Sequence, residues 1–445
     1  MNKTVKHCIS VITFLVMLIG AVKLLDYLLV PMSRADFFLH DMERMKKKNQ
    51  NIDGILIGNS HYLFGLNPLI FEEVLSLDNV YNASISALEI SSKYYIAESM
   101  IKEFEPEVVV FDLDWASLYD RGLDITQSKL LGLDRLKGIT WLRHIFNDFY
   151  PSEMIYAWIR PYRFRDRIFW DGAIAGNVKL KRWAEDTKYE IDYYQTIKGY
   201  DKGPSCAANT FTLYSKGDFD ESRIYDHSKA YVDKIAELCK SRNIPLFFVT
   251  TPVSTMQQMN IGNYQKAVDY FTSYAKEKGV YYFDMNMLKN RDEIFNDRLL
   301  YDDGHLCEEG AGVASRICAE IIRDELNGID TSDRFYASMD ELAADIKRLV
   351  AVGAETGFED GKIFINNVRY TAGTDADVTL DIQMSENGQD YVSMFRTNRS
   401  GESFEIPAED LSSETVQIKI IGKDAVSGTE ASAEYTVMIG DDPEN

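Results

Sequence analysis

Residues 54–68 read GILIGNSHYLFGLNP and show a strand, a turn and a helix in succession. The run Gly54–Ile57 is short and apolar, as is typical of a buried strand. It ends in Gly58-Asn59-Ser60-His61, and Pro68 opens a helix because proline is favoured in the first helical turn. This order predicts the first unit of an α/β fold.

The same alternation continues on both sides of a long interruption. Further strands are predicted at Val80–Asn82, Glu107–Leu113, Pro245–Thr251 and Val280–Asp284, and helices at 68–77, 88–104, 226–242 (capped by Asp226), 261–278 and 308–326. Strands that alternate with helices of this length form a parallel sheet with helices on both faces. Such a sheet binds its ligands at the carboxyl ends of its strands.

The N-terminus contains a 24-residue run, His7–Val30, that is long enough to span a bilayer. Three interpretations compete: a cleaved signal peptide, for which Gly20–Ala21 offers only a poor cleavage site, a buried soluble helix, and an uncleaved single-pass anchor, which we favour. Lys3 and Lys6 favour a cytoplasmic N-terminus, although Lys46–Lys48 weaken the charge asymmetry. The body of the protein is therefore expected outside the cytoplasm, at the cell surface.

We expect three regions along the chain. Residues 1–31 are the anchor. Residues 32–330 are the α/β domain, which starts with a polar helical stalk (32–52) and is interrupted at 115–225. Residues 331–445 form an accessory domain, where a helix at 338–352 precedes six short strands (363–370, 378–385, 389–395, 403–406, 415–421 and 433–439) that predict a small β-sandwich. That last region is an interaction or spacer module rather than a second enzyme.

Composition excludes several classes of function. The 445 residues contain 48 Lys+Arg and 70 Asp+Glu, so the net charge is −22, and binding to nucleic acid through a global basic field is not expected. Residues 331–445 contribute 23 acids and 9 bases to this balance. The five cysteines are too few and too scattered for a disulfide framework, and none forms a CxxC pair of the kind that binds zinc.

The interruption contains a local basic–aromatic stretch at 156–188, with eight Arg and Lys and four Asp and Glu. One interpretation is a helical cap with solvated arginines. The other is a surface that meets anionic lipid, an anionic polymer or a membrane partner.

Two separated motifs predict the chemistry. Ser60 follows the first strand, and His305 precedes the last helix with Asp302 three residues before it, within Asp302-Asp303-Gly304-His305. A carboxylate at that spacing fixes the tautomer of the ring and leaves the other nitrogen as a general base for a serine nucleophile. The paired acids Asp112 and Asp114 have no third ligand cluster nearby, so neither a metal nor a cofactor is predicted.

These motifs resemble those of the SGNH (GDSL-type) hydrolase superfamily, over about 53–114 and 226–327. The anchor, residues 55–68, Tyr81-Asn82-Ala83-Ser84 and DDGHLCEEGA also resemble a narrower group, the DltD-like envelope proteins and the SGNH partners of membrane-bound O-acyltransferases. The resemblance implies a flavodoxin-type sheet and a triad of Ser60, His305 and Asp302. The superfamily's oxyanion glycine and asparagine are not evident, and the candidates for oxyanion or substrate contacts are Asn59, His61, Asn82, Ser84 and Asp114.

Three hypotheses of function follow. The first is a membrane-anchored serine esterase or acyltransferase that acts on acetyl or D-alanyl groups of envelope polysaccharide or teichoic acid. The second is a catalytically weak scaffold that partners a membrane-bound O-acyltransferase, which the missing oxyanion residues favour. The third is an adhesin-like protein whose C-terminal module binds a surface ligand.

Overall fold

The computed structural model describes residues 3–114, 117–119, 125–189, 194, 196–203, 205–206, 219–259, 263–289, 299–302, 304–409, 411 and 413–439. Its first element, helix α1 (Lys3–Leu29), has solvent-facing apolar side chains along most of its length. The segment Val5–Leu29 is long and apolar enough to cross a membrane, with a mean hydropathy of 2.5. This finding fits an anchor or a signal sequence.

The segment after α1 is helical but is not the polar stalk that the sequence predicts. Helix α2 (Arg34–Lys47) begins after Ser33, whose backbone N–H donates to Asp36 at 2.8 Å. Phe38 and Met45 are buried in the main core of the α/β domain. The apolar side chains at these positions hold α2 against the domain, which corrects the stalk prediction.

A five-stranded parallel sheet forms the centre of the α/β domain. Its strands are β1 (Gly54–Ile57), β2 (Val80–Asn82), β3 (Val108–Asp112), β4 (Leu246–Thr250) and β5 (Tyr281–Asp284), in the order β2-β1-β3-β4-β5. Alternate residues of a strand point to opposite faces. Ile55 and Ile57 therefore enter one hydrophobic core, while Leu56 enters another. The predicted α/β fold with helices on both faces is confirmed.

Helices occupy the connections between these strands, and one further helix follows β5. They are α3 (Ser60–Gly65), α4 (Pro68–Leu75), α5 (Ile90–Phe104), the insertion helices α6 (Ile125–Leu133), α7 (Gly138–Asp148), α8 (Met154–Trp158), α9 (Arg160–Arg163) and α10 (Ala173–Asp186), and then α11 (Asp226–Ser241), α12 (Thr255–Met259), α13 (Tyr264–Lys278) and α14 (Glu308–Leu326). Helix α11 starts at Asp226 with Tyr225 as its N-cap, so the predicted Asp226 cap is wrong by one residue. Helix α3 was not predicted.

The C-terminal region is a β-sandwich with one more strand than the sequence predicts. The helix expected at 338–352 is only α15 (Met339–Asp345), and the chain then enters a strand. The strands are β6 (Ala351–Glu359), β7 (Lys362–Thr371), β8 (Val378–Ser385), β9 (Val392–Thr397), β10 (Glu402–Pro407), β11 (Thr415–Asp424) and β12 (Glu430–Met438). The sheets β10-β7-β6 and β12-β11-β8-β9 enclose one apolar core.

Candidate active site

Ser60 lies at the carboxyl end of β1, beside β3. The chain runs from β1 to β2 on one side of β1 and then crosses to β3 on the other side. Where the strand order reverses in this way, a crevice forms at the carboxyl ends of the strands. A Cβ atom on Gly58 would lie 2.6 Å from Cγ of Tyr62 and 2.7 Å from Cβ of Asp112, so the turn needs glycine. The Asn59 side chain then caps α3 by accepting the His61 N–H at 2.9 Å. Ser60 is thus the first residue of a capped helix.

The structure brings the three predicted catalytic residues together across 245 residues of sequence. Ser60 Oγ is 2.7 Å from His305 Nε2. His305 Nδ1 is 2.9 and 2.8 Å from the two carboxylate oxygens of Asp302. With the Nδ1–H donated to Asp302, Nε2 is left to accept the Ser60 proton. The histidine side chain is 28% exposed, so the site is open to solvent.

The carboxylate of Asp302 is held in place by its own loop. Its Oδ1 accepts the backbone N–H groups of Gly304 at 2.9 Å and His305 at 2.8 Å. Partial burial raises the pKa of Asp302, but the hydrogen bonds from the His305 ring and from these N–H groups outweigh it, so the pKa lies below its ordinary value. Asp302 therefore stays ionised and orients the imidazole. Asp303 of the same motif lies outside the described residues.

Two aromatic rings fix the plane of His305. The His61 ring stacks on it at a centroid distance of 4.9 Å and an interplanar angle of 22°. Phe64, one turn along α3, meets it edge-on at 5.9 Å. A Cβ atom on Gly304 would lie 2.7 Å from Cε1 of His61, so the absence of a side chain there permits the stack. His61 thus packs against the ring that faces Ser60.

Among the oxyanion candidates, Asn82 is already used by the fold. Its amide nitrogen donates to the carbonyls of Tyr62 at 2.8 Å and Leu66 at 2.9 Å, and its oxygen accepts the Ser84 N–H at 3.1 Å. Because the side chain is fully buried and both amide hydrogens are committed, Asn82 is not an oxyanion donor, which corrects that prediction. It instead ties α3 to the end of β2.

The remaining candidates differ in their surroundings. The Ser84 hydroxyl is buried and has no hydrogen-bond partner among the described residues. Asp114 is buried after β3, and its backbone carbonyl accepts the Ser117 hydroxyl at 2.7 Å. Asn59 serves as the cap of α3. Ser84 therefore offers a buried hydroxyl donor, and the cap made by the Asn59 oxygen leaves the amide nitrogen of that side chain as a second donor.

Sequence reasoning missed a buried ion pair beneath the Ser60 turn. Lys93 Nζ on α5 lies 2.7 Å from Asp112 Oδ2 at the end of β3, and the two side chains are 0% and 2% exposed. The same oxygen accepts the Asn59 N–H at 3.3 Å. The pair links the centre of the sheet to the residue before Ser60. A lysine in the otherwise apolar face of a predicted helix is the signal that reveals such a pair.

A disulfide also reaches the site, although the sequence offered no framework of cysteines. Cys206 is bonded to Cys307, two residues after His305. The chain leading to Cys206 is held as well, since Asp201 N–H donates to the Leu63 carbonyl at 3.1 Å and Lys202 pairs with Glu308 at 3.1 Å. No local pattern joins the two cysteines, because they are 101 residues apart in the sequence.

We expect the Cys206→Ser variant to lose about 2–4 kcal/mol of unfolding free energy, because the bridge closes a loop across 101 residues. Thermal unfolding of the full chain in detergent, with and without reductant, measures the effect. Cys8→Ser, which removes an exposed free thiol, is the control and keeps the wild-type response to reductant. Equal unfolding midpoints for Cys206→Ser and wild type would contradict the prediction.

The fold contains a second Ser–His–Asp arrangement that resembles the first. His144 Nε2 is 3.0 Å from Ser92 Oγ, and its Nδ1 is 2.9 Å from Asp148. Ser92 and His144 are fully buried between α5 and α7, whereas Ser60 and His305 are partly exposed. A substrate cannot reach the buried set, so its role is structural.

The described residues contain no group of three or more His, Cys, Asp and Glu side chains placed to hold a metal ion. The side chains that meet at Ser60 are a hydroxyl, an imidazole and a carboxylate.

Comparisons with known proteins find neither a matching family model nor a matching curated protein. Solved structures with a similar fold include a G-D-S-L family putative lipolytic protein from Desulfitobacterium hafniense (11% identity, 60% of this chain and 99% of that chain, TM-score 0.30). A second is a GDSL-like lipase from Bacteroides thetaiotaomicron (10% identity, 65% of this chain and 98% of that chain, TM-score 0.30). A third is the esterase EstA from Pseudoalteromonas (11% identity, 62% of this chain and 99% of that chain, TM-score 0.27).

Proposed function

We propose that this chain is a membrane-anchored serine esterase or O-acyltransferase that acts on acetyl or D-alanyl groups of envelope polysaccharide or teichoic acid. The observation that carries the proposal is the 2.7 Å contact between Ser60 Oγ and His305 Nε2, with Asp302 on the other ring nitrogen. A serine hydroxyl that is aligned on an oriented imidazole and open to solvent is an activated nucleophile.

In this mechanism His305 takes the hydroxyl proton as Ser60 Oγ attacks the carbonyl carbon of an ester. The tetrahedral oxyanion collapses, the bond to the leaving alkoxide breaks, and His305 gives its proton to that alkoxide. The products are a free alcohol and an ester on Ser60. Attack on that ester by water, again with His305 as the base, completes hydrolysis, whereas attack by a sugar or polyol hydroxyl completes transfer.

The oxyanion needs donors that the sequence motifs did not supply. The Ser60 N–H is one candidate, because it is the first N–H of α3 and bonds to no acceptor among the described residues. The Ser84 hydroxyl is the second candidate. The loss of one oxyanion donor lowers turnover by about 10²–10³-fold. The Ser84→Ala variant should show a loss of this size if the Ser84 hydroxyl binds the oxyanion.

Two contacts support an anchored, extracytoplasmic enzyme. The Asn177 side chain donates to the carbonyls of Leu28 at 3.0 Å and Val30 at 2.8 Å, so the end of α1 is part of the tertiary structure. That contact favours a retained anchor over a cleaved signal. The Cys206–Cys307 disulfide favours an oxidising compartment. Resistance of the protein to alkaline extraction from membranes tests the anchor.

The scaffold interpretation has its own supporting observation. The Asn82 amide is consumed by backbone carbonyls, so the oxyanion site has fewer side-chain donors than the sequence offers. In that case the domain would bind a membrane-bound O-acyltransferase and carry little activity by itself.

Labelling with a fluorophosphonate separates the two functions. The full chain in detergent is treated with the probe beside Ser60→Ala, His305→Ala and the control Ser92→Ala, and peptide mass spectrometry locates the label. We expect labelling at Ser60 that Ser60→Ala and His305→Ala abolish and Ser92→Ala retains. Folded wild-type protein that remains unlabelled would overturn the enzyme proposal in favour of the scaffold.

A further inference from the structure

The helical insertion exposes more large apolar side chains than a solvated cap needs. Ile168, Phe169 and Trp170 are consecutive and are 56%, 85% and 60% exposed. Phe146 and Trp158, whose rings are 6.2 Å apart, are 64% and 47% exposed on the same helical insertion. Scattered exposed apolar residues are normal, but a cluster marks a surface that binds a partner or a membrane.

The position of these side chains along α1 gives their depth in a bilayer that α1 would cross. Helix α9, the 3-10 turn Arg165–Phe169 and helix α10 all pack against α1. A groove between them is lined by Val22 and Lys23 of α1 and by Trp158 and Arg160 of the insertion. At 1.5 Å per residue, Val22 lies roughly 10 Å from the end of α1. If α1 crosses a bilayer, the insertion lies at the level of the headgroups.

Polar contacts hold the insertion at this level. Lys181 Nζ donates to the carbonyls of Asp26 at 3.0 Å and Tyr27 at 2.9 Å, and the Asn177 amide donates to the carbonyls of Tyr27, Leu28 and Val30. These carbonyls lie in the last turn of α1 and just beyond it, where most carbonyls have no donor within the helix. The insertion therefore cannot move along α1 without losing these bonds.

The charge of the insertion differs from that of the whole chain. Residues 156–188 have eight basic and four acidic side chains, in a protein whose net charge is −22. Lys179 and Arg182 are exposed, and the Arg167 guanidinium lies 5.7 Å from the centroid of the Trp170 ring. Tryptophan beside arginine and lysine is typical of the interface between hydrocarbon and anionic headgroups.

We propose that this aromatic–basic surface, formed by Phe146, Trp158, Arg167–Trp170, Lys179 and Arg182, inserts into the anionic headgroup layer of the bilayer that α1 crosses. The inference rests on the proposed anchor. It adds that the domain touches the membrane at a second place, which fixes the orientation of the Ser60 crevice relative to the bilayer. A single helix followed by a free linker would leave that orientation unrestrained.

Tryptophan quenching tests the insertion of the surface. The full chain is reconstituted in nanodiscs of phosphatidylcholine and phosphatidylglycerol, with or without bromine on the acyl chains close to the headgroup. We expect bromolipid to quench part of the tryptophan fluorescence. The quenched fraction should fall in Trp170→Phe, which removes an inserted tryptophan, and rise in Trp183→Phe, which removes one that is not inserted. Trp183 packs against the cluster of Met32, Phe37 and Ala184 and serves as the matched control. Equal quenched fractions in wild type and Trp170→Phe would overturn the proposal.

Amide hydrogen exchange tests whether the surface prefers anionic lipid. Peptides that cover 164–182 should exchange more slowly in discs with phosphatidylglycerol than in discs of phosphatidylcholine alone, and the double variant Lys179→Gln/Arg182→Gln should remove the difference. Exchange that does not depend on lipid charge in the wild type would contradict the anionic-lipid assignment and leave the surface to a protein partner. Loss of the whole protein from the membrane fraction would instead disprove the anchor itself.

Discussion

Ser60→Ala is expected to lower the turnover of a chromogenic acetyl ester by about 10⁴–10⁶-fold, because the nucleophile is removed and only binding and oxyanion contacts remain. The wild-type geometry supports this magnitude, since Ser60 Oγ is 2.7 Å from Nε2 of His305, the proposed base. The steady-state rate of the purified full chain in detergent is the measurement. A Ser60→Ala variant with wild-type turnover would place the activity elsewhere.

The variants of the other two residues give a sharper test of the same site. Asp302→Asn should cost about 10⁴-fold, because an amide cannot hold the Nδ1–H tautomer of His305. Residues that act as a unit are not additive, so Ser60→Ala/His305→Ala should be no slower than Ser60→Ala alone. Ser92→Ala is the control, and its turnover should equal that of the wild type. An additive loss in the double variant would mean that the two residues act independently.

Asp148→Asn is expected to destabilise the protein by about 3–5 kcal/mol while Ser60, His305 and Asp302 stay unchanged. The buried carboxylate accepts hydrogen bonds from His144 at 2.9 Å, His227 at 2.8 Å and the Tyr231 hydroxyl at 2.7 Å. An asparagine supplies one acceptor oxygen and turns an NH₂ group toward the remaining donors, which leaves buried polar groups unpaired. The thermal unfolding midpoint should fall by roughly 10 °C.

The pH dependence of that loss follows from the pKa of Asp148. Burial raises this pKa, but hydrogen bonds and charge from His144, together with hydrogen bonds from Tyr231 and His227, outweigh it and lower the pKa below its ordinary value. A lowered folded-state pKa contributes stability that is fully present above the unfolded-state value, about 3.9, and is lost as the pH falls through the folded-state value. The difference between the wild type and Asp148→Asn should therefore be largest above about pH 5 and narrow below about pH 4.

A matched control separates this effect from the general effect of replacing an aspartate. Asp166 is 68% exposed and lies 3.9 Å from Arg165, so Asp166→Asn should change the unfolding free energy by less than about 0.5 kcal/mol. If Asp148→Asn behaves like Asp166→Asn, the buried network does not stabilise the fold.

Much of the fold was predictable because its signals are local. The apolar run before Ser60, the proline at 68 and the glycine after Lys278 mark where strands and helices begin or end, and these limits agree with the structure to within a few residues. The pairing of Asp302 with His305 was predictable for the same reason, since three residues of loop bring the carboxylate to the ring. The shortened helix at 339–345 shows the limit, because a β-strand pairing competes with the helical periodicity after it.

The relation between distant residues required the tertiary structure. The sequence contains both Ser60 and Ser92, each of which meets a histidine that is paired with an aspartate, and only burial shows that the second set is closed to substrate. The role of Asn82, the Lys93–Asp112 pair and the Cys206–Cys307 bridge likewise depend on contacts between segments far apart in the chain. Local patterns determine which elements form, because hydrogen bonding and side-chain periodicity act over a few residues. Solvent exposure and long-range pairing arise only when the elements pack, so they determine which of the chemically equivalent residues can react.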